Sequence, residues 1–289
     1  MELPVEGYMR IAIDEARLSL GEGNHGFGAV IVQDKTIVCK THDTEETEKD
    51  PTAHAEMKAI RKACAILGKD LSACRLFCTH EPCPMCATAI VWSHLAGVTY
   101  GYGIEDSIKQ GRKRIDLSCA ELFRRAKSSI QVESGLLLKE CSPLYDRRVR
   151  DEVRRLNGAS SKELTIHDEK LSAKRVAWFR TENPLKGLGK CTPVDLAYRL
   201  LLMKLEVAQE QAPIVRRTDT EIVFHSMNFC STLEACRILG LDTRTVCKLY
   251  NERSTAELIQ QIDPHLHFTR NYGKLRPRAD YCEEIITYE

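Results

Sequence analysis

No stretch of the chain approaches the roughly 20 consecutive apolar residues that span a bilayer, which excludes an ordinary transmembrane helix, and no membrane partner is expected. The opening Met1-Glu2-Leu3-Pro4 has neither a basic segment nor an apolar one behind it. No secretory signal is visible, and a cytoplasmic location is expected. Neither sign of charge is in excess: 42 Lys and Arg stand against 41 Asp and Glu, a net charge of +1 over 289 residues. That balance argues against a polyanion-binding surface along the whole chain and still allows a local basic patch. No low-hydrophobicity tract is long enough for extended disorder, and no repeat relates the two halves. The length suits two domains, each able to bury a core.

Cysteine, by contrast, is plentiful. Thirteen cysteines, an odd number at irregular spacings without an export signal, suit free thiols in a reducing compartment better than a disulfide framework. Cys39, Cys64, Cys74, Cys78, Cys119 and Cys141 lie among apolar or small neighbours, and buried packing is the reading favoured for each.

Two short stretches carry chemistry: His54-Ala55-Glu56 and Pro82-Cys83-Pro84-Met85-Cys86. Both fall at expected helix starts. Residues 52–67 read as a helix with Ala53, Met57, Ile60 and Cys64 on its buried stripe, and a second helix opens at Cys83 behind a buried strand over 75–79. A helix N-terminus favours anions and thiolates, so two starts aimed at one spot predict a site. A catalytic zinc keeps three protein ligands and leaves a position for water; His54, Cys83 and Cys86 would supply the three, for one Zn2+ per chain. Zinc lowers the pKa of its water to roughly 7. Glu56, with one residue between it and His54, is placed to move a proton from that water to a substrate nitrogen. A lone Cys-x-x-Cys also occurs as a structural zinc corner, a redox pair or core packing. Those readings leave His54, Glu56 and Pro82 unexplained, and a structural zinc would want a fourth ligand nearby.

Around these motifs the pattern gives a helix over 5–20, strands over 27–32, 36–40, 98–102 and 130–132, and helical segments about Gly111 within 106–125. A charged helix over 140–156 carries Arg147, Arg148, Arg150, Arg154 and Arg155. These are balanced by Asp146, Asp151 and Glu152, and read as a solvated face. The alternation implies an α/β domain over 1–157, a sheet layered by helices. Asn157-Gly158-Ala159-Ser160-Ser161 signals a linker, placed at 158–163. The remainder, 164–289, reads as a smaller, cysteine-rich α+β domain. Residues 171–179 are ambiguous; helices are expected over 192–211, 233–239, 244–251 and 256–262, and strands over 220–225, 265–270 and 284–288.

His-x-Glu … Pro-Cys-x-x-Cys is the signature of zinc-dependent nucleobase deaminases. With Phe27-Gly28-Ala29-Val30, Asp50-Pro51-Thr52-Ala53 and Ala89-Ile90-Val91-Trp92, the first domain resembles the cytidine-deaminase-like zinc hydrolases. It is most similar to the branch of guanine deaminases and bacterial tRNA adenosine deaminases. The resemblance implies a three-layer α-β-α sandwich, a homodimer or larger assembly, and hydrolytic release of an exocyclic amine as ammonia from a small heterocyclic substrate. Phe27 and Trp92 resemble the guanine deaminases and would sandwich a free ring. His42 or Asp43 would read the ring edge, and the backbone N–H of Ala55 would donate to a ring carbonyl. Two departures stand out. The family usually has Asn in the loop where this chain reads Thr41-His42-Asp43, and guanine deaminases tend to have acidic residues soon after the glycine matching Gly111, where this chain has Arg112-Lys113-Arg114 with Asp116 later. The expected function is zinc-dependent deamination of a free amino-heterocycle, guanine or a related purine or pteridine base. The alternatives are a tRNA adenosine deaminase, which would want a dense basic surface around its pocket, and a small-molecule-sensing regulator, which has no use for Glu56. Nucleic acid is not the expected partner.

In the second domain, Phe229-Cys230-Ser231-Thr232-Leu233-Glu234-Ala235-Cys236, Leu239-Gly240-Leu241-Asp242-Thr243, Cys247 and Arg278-Ala279-Asp280-Tyr281-Cys282 resemble the aminothiazoline-carboxylate hydrolases. Read without the family, His225, Cys230, Cys236, Cys247 and Cys282 are candidates for a second metal or thiol site. Their spacings match no zinc template, so structural cysteines are the reading favoured.

Overall fold

Strand β1 spans Gly28–Gln33, and every residue from Gly28 to Val32 is buried, so both of its faces must be covered. The structure, a computed structural model, describes residues 3–182, 184–186 and 191–289. The chain divides into two compact units, Met1–Arg154 and Arg155–Glu289. In the first, α1 (Val5–Gly21) precedes β1; β2 (Thr36–His42), α2 (Glu45–Glu48), α3 (Ala55–Leu67), β3 (Cys74–His80), α4 (Pro84–Trp92) and β4 (Gly97–Tyr102) follow. Then come α5 (Ile104–Lys109), α6 (Cys119–Arg125), β5 (Gln131–Ser134), α7 (Leu138–Cys141), a 3-10 turn over Ser142–Tyr145, and α8 (Arg147–Leu156).

The sheet runs β2-β1-β3-β4-β5. β1 is antiparallel to β2 and β3, whereas β3, β4 and β5 are parallel. Side chains alternate across it. Ala29, Ile31, Leu76, Cys78 and Val98 pack on Ala55, Ala59 and Ala63 of α3, Ala87 and Ile90 of α4, and Phe123 of α6. The opposite face carries α1: Phe77, the residue between Leu76 and Cys78, meets Tyr8 with ring centroids 5.2 Å apart. The result is the expected three-layer α/β arrangement. Cys39, Cys74, Cys78, Cys119 and Cys141 are buried within this unit, and Cys64 is half-buried.

Three local expectations are corrected. The helix expected over 140–156 is interrupted, because Pro143 sits in a 3-10 turn and Asp146 is extended, accepting the Arg148 N–H at 2.8 Å before α8 opens. Between α5 and α6, residues 110–118 are not helical. The linker placed at 158–163 runs into α9 (Ser161–Glu182), which also absorbs the ambiguous 171–179. Its start is a capping box: the Ser160 hydroxyl accepts the Glu163 N–H, and the Glu163 carboxylate accepts the Ser160 N–H at 2.8 Å.

The second unit continues with α10 (Pro193–Leu205), β6 (Ile214–Arg217), β7 (Glu221–Ser226), α11 (Ser231–Leu239), α12 (Thr243–Tyr250), α13 (Glu252–Ile259), β8 (Leu266–Arg270) and β9 (Cys282–Tyr288). Its antiparallel sheet, β6-β7-β9-β8, packs Ile222, Phe224 and Ile286 against Val194 and Leu201 of α10 and Leu258 of α13, an α+β unit as expected. β6 had no sequence signal; it is a four-residue edge strand with three residues exposed. Among the described residues no helix is long and apolar enough to cross a membrane.

Two predictions follow from this packing. A Cβ on Gly28 would stand 1.9 Å from the Ala12 carbonyl oxygen and 2.7 Å from the Ala16 nitrogen, both backbone atoms of α1. Gly28→Ala must therefore push α1 off the sheet, and urea unfolding should show a loss of about 3 kcal/mol. An unchanged midpoint would contradict the close approach. The second concerns His80, 4% exposed, at the end of β3. Its Nδ1 lies 2.8 Å from the Glu81 carbonyl oxygen and its Nε2 2.7 Å from the Ser107 hydroxyl, and burial pushes its pKa down to about 3. The unfolded imidazole, near 6.5, binds a proton that the folded one refuses. The stability due to His80 is thus intact above about pH 6.5 and falls as pH drops toward 3, by ~5 kcal/mol in full. His80→Gln removes that dependence, so the stability gap between wild type and variant should narrow from pH 7 to pH 4.5. A constant gap would overturn the assignment of a neutral buried ring.

Candidate active site

His54 is the N-cap of α3 and Cys83 the N-cap of α4; Pro84 takes the first helical position and Cys86 the third. Proline fits there because that N–H has no intrahelical partner and the ring pre-sets φ. Both caps are extended, with ψ of 150° and 166°, and the two helix starts meet. His54 Nδ1 lies 3.6 Å from Cys83 Sγ and 3.5 Å from Cys86 Sγ, and the two sulfurs are 3.6 Å apart. A tetrahedral zinc with Zn–S near 2.3 Å and Zn–N near 2.0–2.1 Å has edges of about 3.5–3.8 Å. The donor set therefore fits a zinc ion with one open position. It is the one group of three potential metal-ligating side chains so gathered among the described residues.

Glu56, in the first turn of α3 and 4% exposed, brings Oε2 within 3.6 Å of Cys86 Sγ. Burial pushes its carboxyl up to about 7. The contact between the two sulfurs lowers the Cys83 thiol to about 4 and raises that of Cys86. The Cys83 sulfur in turn raises His54 to about 9. A compact cluster of this kind is poised to exchange protons for a cation.

His54, Glu56 and Cys83 line a cavity of about 570 Å³. Glu81 braces its wall: one carboxylate oxygen accepts the Ile104 N–H at the start of α5, the other the Cys119 N–H at the start of α6, both at 2.9 Å. Phe27, His80, Tyr102 and Tyr145 form an aromatic cluster with centroids 5.1–5.8 Å apart, of which Phe27 and His80 reach the cavity.

The structure brings Phe27, His54, Glu56, Cys83 and Cys86 together and sends three other expected residues elsewhere. His42 faces α1, with Nδ1 2.8 Å from Glu15 and Nε2 3.2 Å from Glu22. Its neighbour Thr41 takes the α3 side, donating to the Ala55 carbonyl at 2.7 Å; strand alternation decides between them. Asp43 is fully buried and accepts from the Ser19 hydroxyl and the backbone N–H groups of His25 and Phe27, so it is a loop brace. Trp92 is 77% exposed, at the far end of α4 and about 13 Å along the axis from Cys83. Ala55 opens α3, its side chain in the core and its N–H among those the helix leaves unpaired.

Sequence reading missed Arg112, Lys113, Arg114 and Arg150, which line the same cavity. The first three were visible as a departure from an acidic pattern; Arg150 was hidden in a charged helix that reads as solvated.

In the second unit the proposed set does not form one ligand cluster. His225 stacks on Tyr281 and pairs with Glu283 at 3.2 Å. Cys230 Sγ caps α11 by accepting the Leu233 N–H at 3.4 Å, and Cys282 Sγ accepts from Arg276 Nε at 3.4 Å. Cys236 is buried, and burial pushes the Cys247 thiol up to about 12.

Comparison with known proteins places residues 4–102 in the cytidine and deoxycytidylate deaminase zinc-binding region. The chain is 35% identical over 161 residues to a tRNA-specific adenosine deaminase of Bacillus subtilis, covering 55% of this chain and 97% of that protein. It is 42% identical over 108 residues to a guanine deaminase of the same organism, covering 37% and 69%. A tRNA-specific adenosine deaminase of Aquifex aeolicus is 43% identical over 96 residues, 33% of this chain and 64% of that protein. With the zinc signature at two converging helix starts and near-complete coverage of one such relative, the chain belongs to the cytidine and deoxycytidylate deaminase zinc-binding family.

Proposed function

We propose that the chain is a zinc-dependent hydrolytic deaminase of an amino-bearing nitrogen heterocycle, a purine-type ring such as guanine, with one zinc per chain held by His54, Cys83 and Cys86. The observation that carries this reading is the buried Glu56 carboxyl beside the three-donor triangle, 3.6 Å from Cys86 Sγ. Zinc, when bound, supplies a Lewis acid that makes water nucleophilic near neutral pH. Glu56 takes the proton that water gives up and returns it to the departing nitrogen; a carboxyl near 7 can do both. The balance is a hydrolysis: a C–O bond forms at the ring carbon, the C–N bond breaks, and ammonia leaves a carbonyl behind. Phe27 offers its ring for stacking, and Glu81 fixes the wall by holding the starts of α5 and α6. The relatives named above act on guanine and on tRNA adenosine, which supports a purine ring. The reading extends to a cytoplasmic homodimer, the location and assembly expected from the free thiols and the resemblance.

The test is ammonia release from a panel of bases, nucleosides and tRNA beside Glu56→Gln, with zinc measured in both proteins. The variant should keep its metal and lose at least about 100-fold in rate; full activity would remove Glu56 from the chemistry. Cys86→Ala should lower zinc from about one per chain to a small fraction, and unchanged zinc content would sink the ligand assignment.

A further inference from the structure

Arg112, Lys113, Arg114 and Arg150 line the cavity that holds Glu56 and Cys83. Among the described residues none of the four forms an ion pair with a carboxylate, although Lys109, Arg147, Arg148 and Arg154 close by in sequence all do. The carboxylates of the cavity are engaged otherwise. Glu81 is bound by two backbone N–H groups, Glu45 lies 3.6–3.7 Å from His25 and His54, and Glu56 faces the thiols. Arg112 Nη1 is buried with no hydrogen-bond partner. Arg150 Nη2 reaches only an imidazole, His25 Nδ1, at 3.2 Å.

These guanidinium groups are nonetheless ordered by their surroundings. Arg112 lies over the Tyr145 ring and Arg114 over the Phe27 ring, each 5.5 Å from the centroid, and the two rings are 5.4 Å apart. The loop after α5 and helix α8 thus deliver cations to one aromatic wall. Burial, and then the charges of Arg150 and Arg114, lower the Arg112 pKa to about 10; burial, Arg154 and Arg114 lower that of Arg150. Arg112 and Arg150 are half-buried and Arg114 is exposed; crowded cations without a counter-ion are costly where burial strips their water, and a bound anion relieves that cost. Guanidinium groups present planar, paired donors that match phosphate oxygens. The cavity volume of about 570 Å³ falls in the range of about 300–1,000 Å³ typical of sites for drug-sized ligands, more than a bare ring fills.

We infer that the cavity takes its heterocycle as a nucleoside phosphate, Arg112, Arg114 and Arg150 holding the phosphate while the ring lies by Phe27 with its amine toward His54, Cys83 and Cys86. The inference rests on the deaminase reading above and adds the substrate class. Phosphate could equally come from an RNA backbone. Arg112 and Arg114, however, lie against Tyr145 and Phe27 on the cavity wall, and a chain of net charge +1 has no general excess of cations to follow a polyanion.

The experiment compares kcat/KM for bases, nucleosides, nucleoside monophosphates and tRNA, using the zinc-loaded wild type, the double variant Arg112→Gln/Arg150→Gln and its Lys/Lys counterpart. Zinc content and circular dichroism check that each is folded. A monophosphate should exceed its nucleoside by about 100-fold, the Gln/Gln variant should bring that ratio near one, and the Lys/Lys variant should keep part of it. A wild-type ratio near one, a ratio unchanged in Gln/Gln, or turnover of tRNA alone would overturn the inference. If no compound is deaminated, the deaminase reading fails by itself, and calorimetry on the same proteins decides the subsite. Monophosphates binding at least about 10-fold tighter than nucleosides, with inorganic phosphate competing and both effects lost in Gln/Gln, would sustain it; equal binding would overturn it.

Discussion

The chemistry of the first unit depends on one distance, that between the starts of α3 and α4. His54 leads one helix and Cys83 and Cys86 the other, and their donor atoms stand 3.5–3.6 Å apart. Neither helix can supply this triangle alone. It exists because both helices lie on one face of the sheet, where Ala55, Ala59, Ala63 and Ala87 let their backbones approach the strands closely. On the other face, Gly28 receives α1 at backbone contact. Small residues on both faces hold the layers at fixed spacing, and a donor triangle with edges this short tolerates little drift.

The reactive centre was legible because its residues are paired at short sequence spacing and each pair sits at a helix start. The strands around it were legible because they are apolar runs bounded by turn residues. What failed did so for identifiable reasons. His42 and Thr41 differ by one position along a strand, and a single step of parity sends one to α1 and the other to α3. Trp92 was assigned by resemblance, and the length of α4 carries it out to solvent. The cationic wall joins residues 112–114 to residue 150, a pairing that tertiary contacts make and no local pattern announces.

The second unit shows the opposite balance. Most of its elements could be read from periodicity, whereas its chemistry could not. Ser160 and Glu163 form a capping box where a run of small and polar residues had suggested a linker. The cysteines that looked like a set serve different neighbours: a helix cap for Cys230, a guanidinium for Cys282, the core for Cys236. Cys230, Cys247 and Cys282 are near enough to feel one another's charge without forming a ligand triangle, and no spacing template links the positions.

Glu81 and Thr79 carry a consequence for where this fold can be cut. The matched segment ends at residue 102, yet the buried carboxylate of Glu81 takes its two donors from Ile104 and Cys119, and the Thr79 hydroxyl is bonded by Tyr145 at 2.7 Å. A fragment ending at the last matched residue would strand a charged group in the interior with nothing to satisfy it. The segment that the family model matches is therefore shorter than the set of residues whose buried polar groups satisfy one another, which reaches Tyr145.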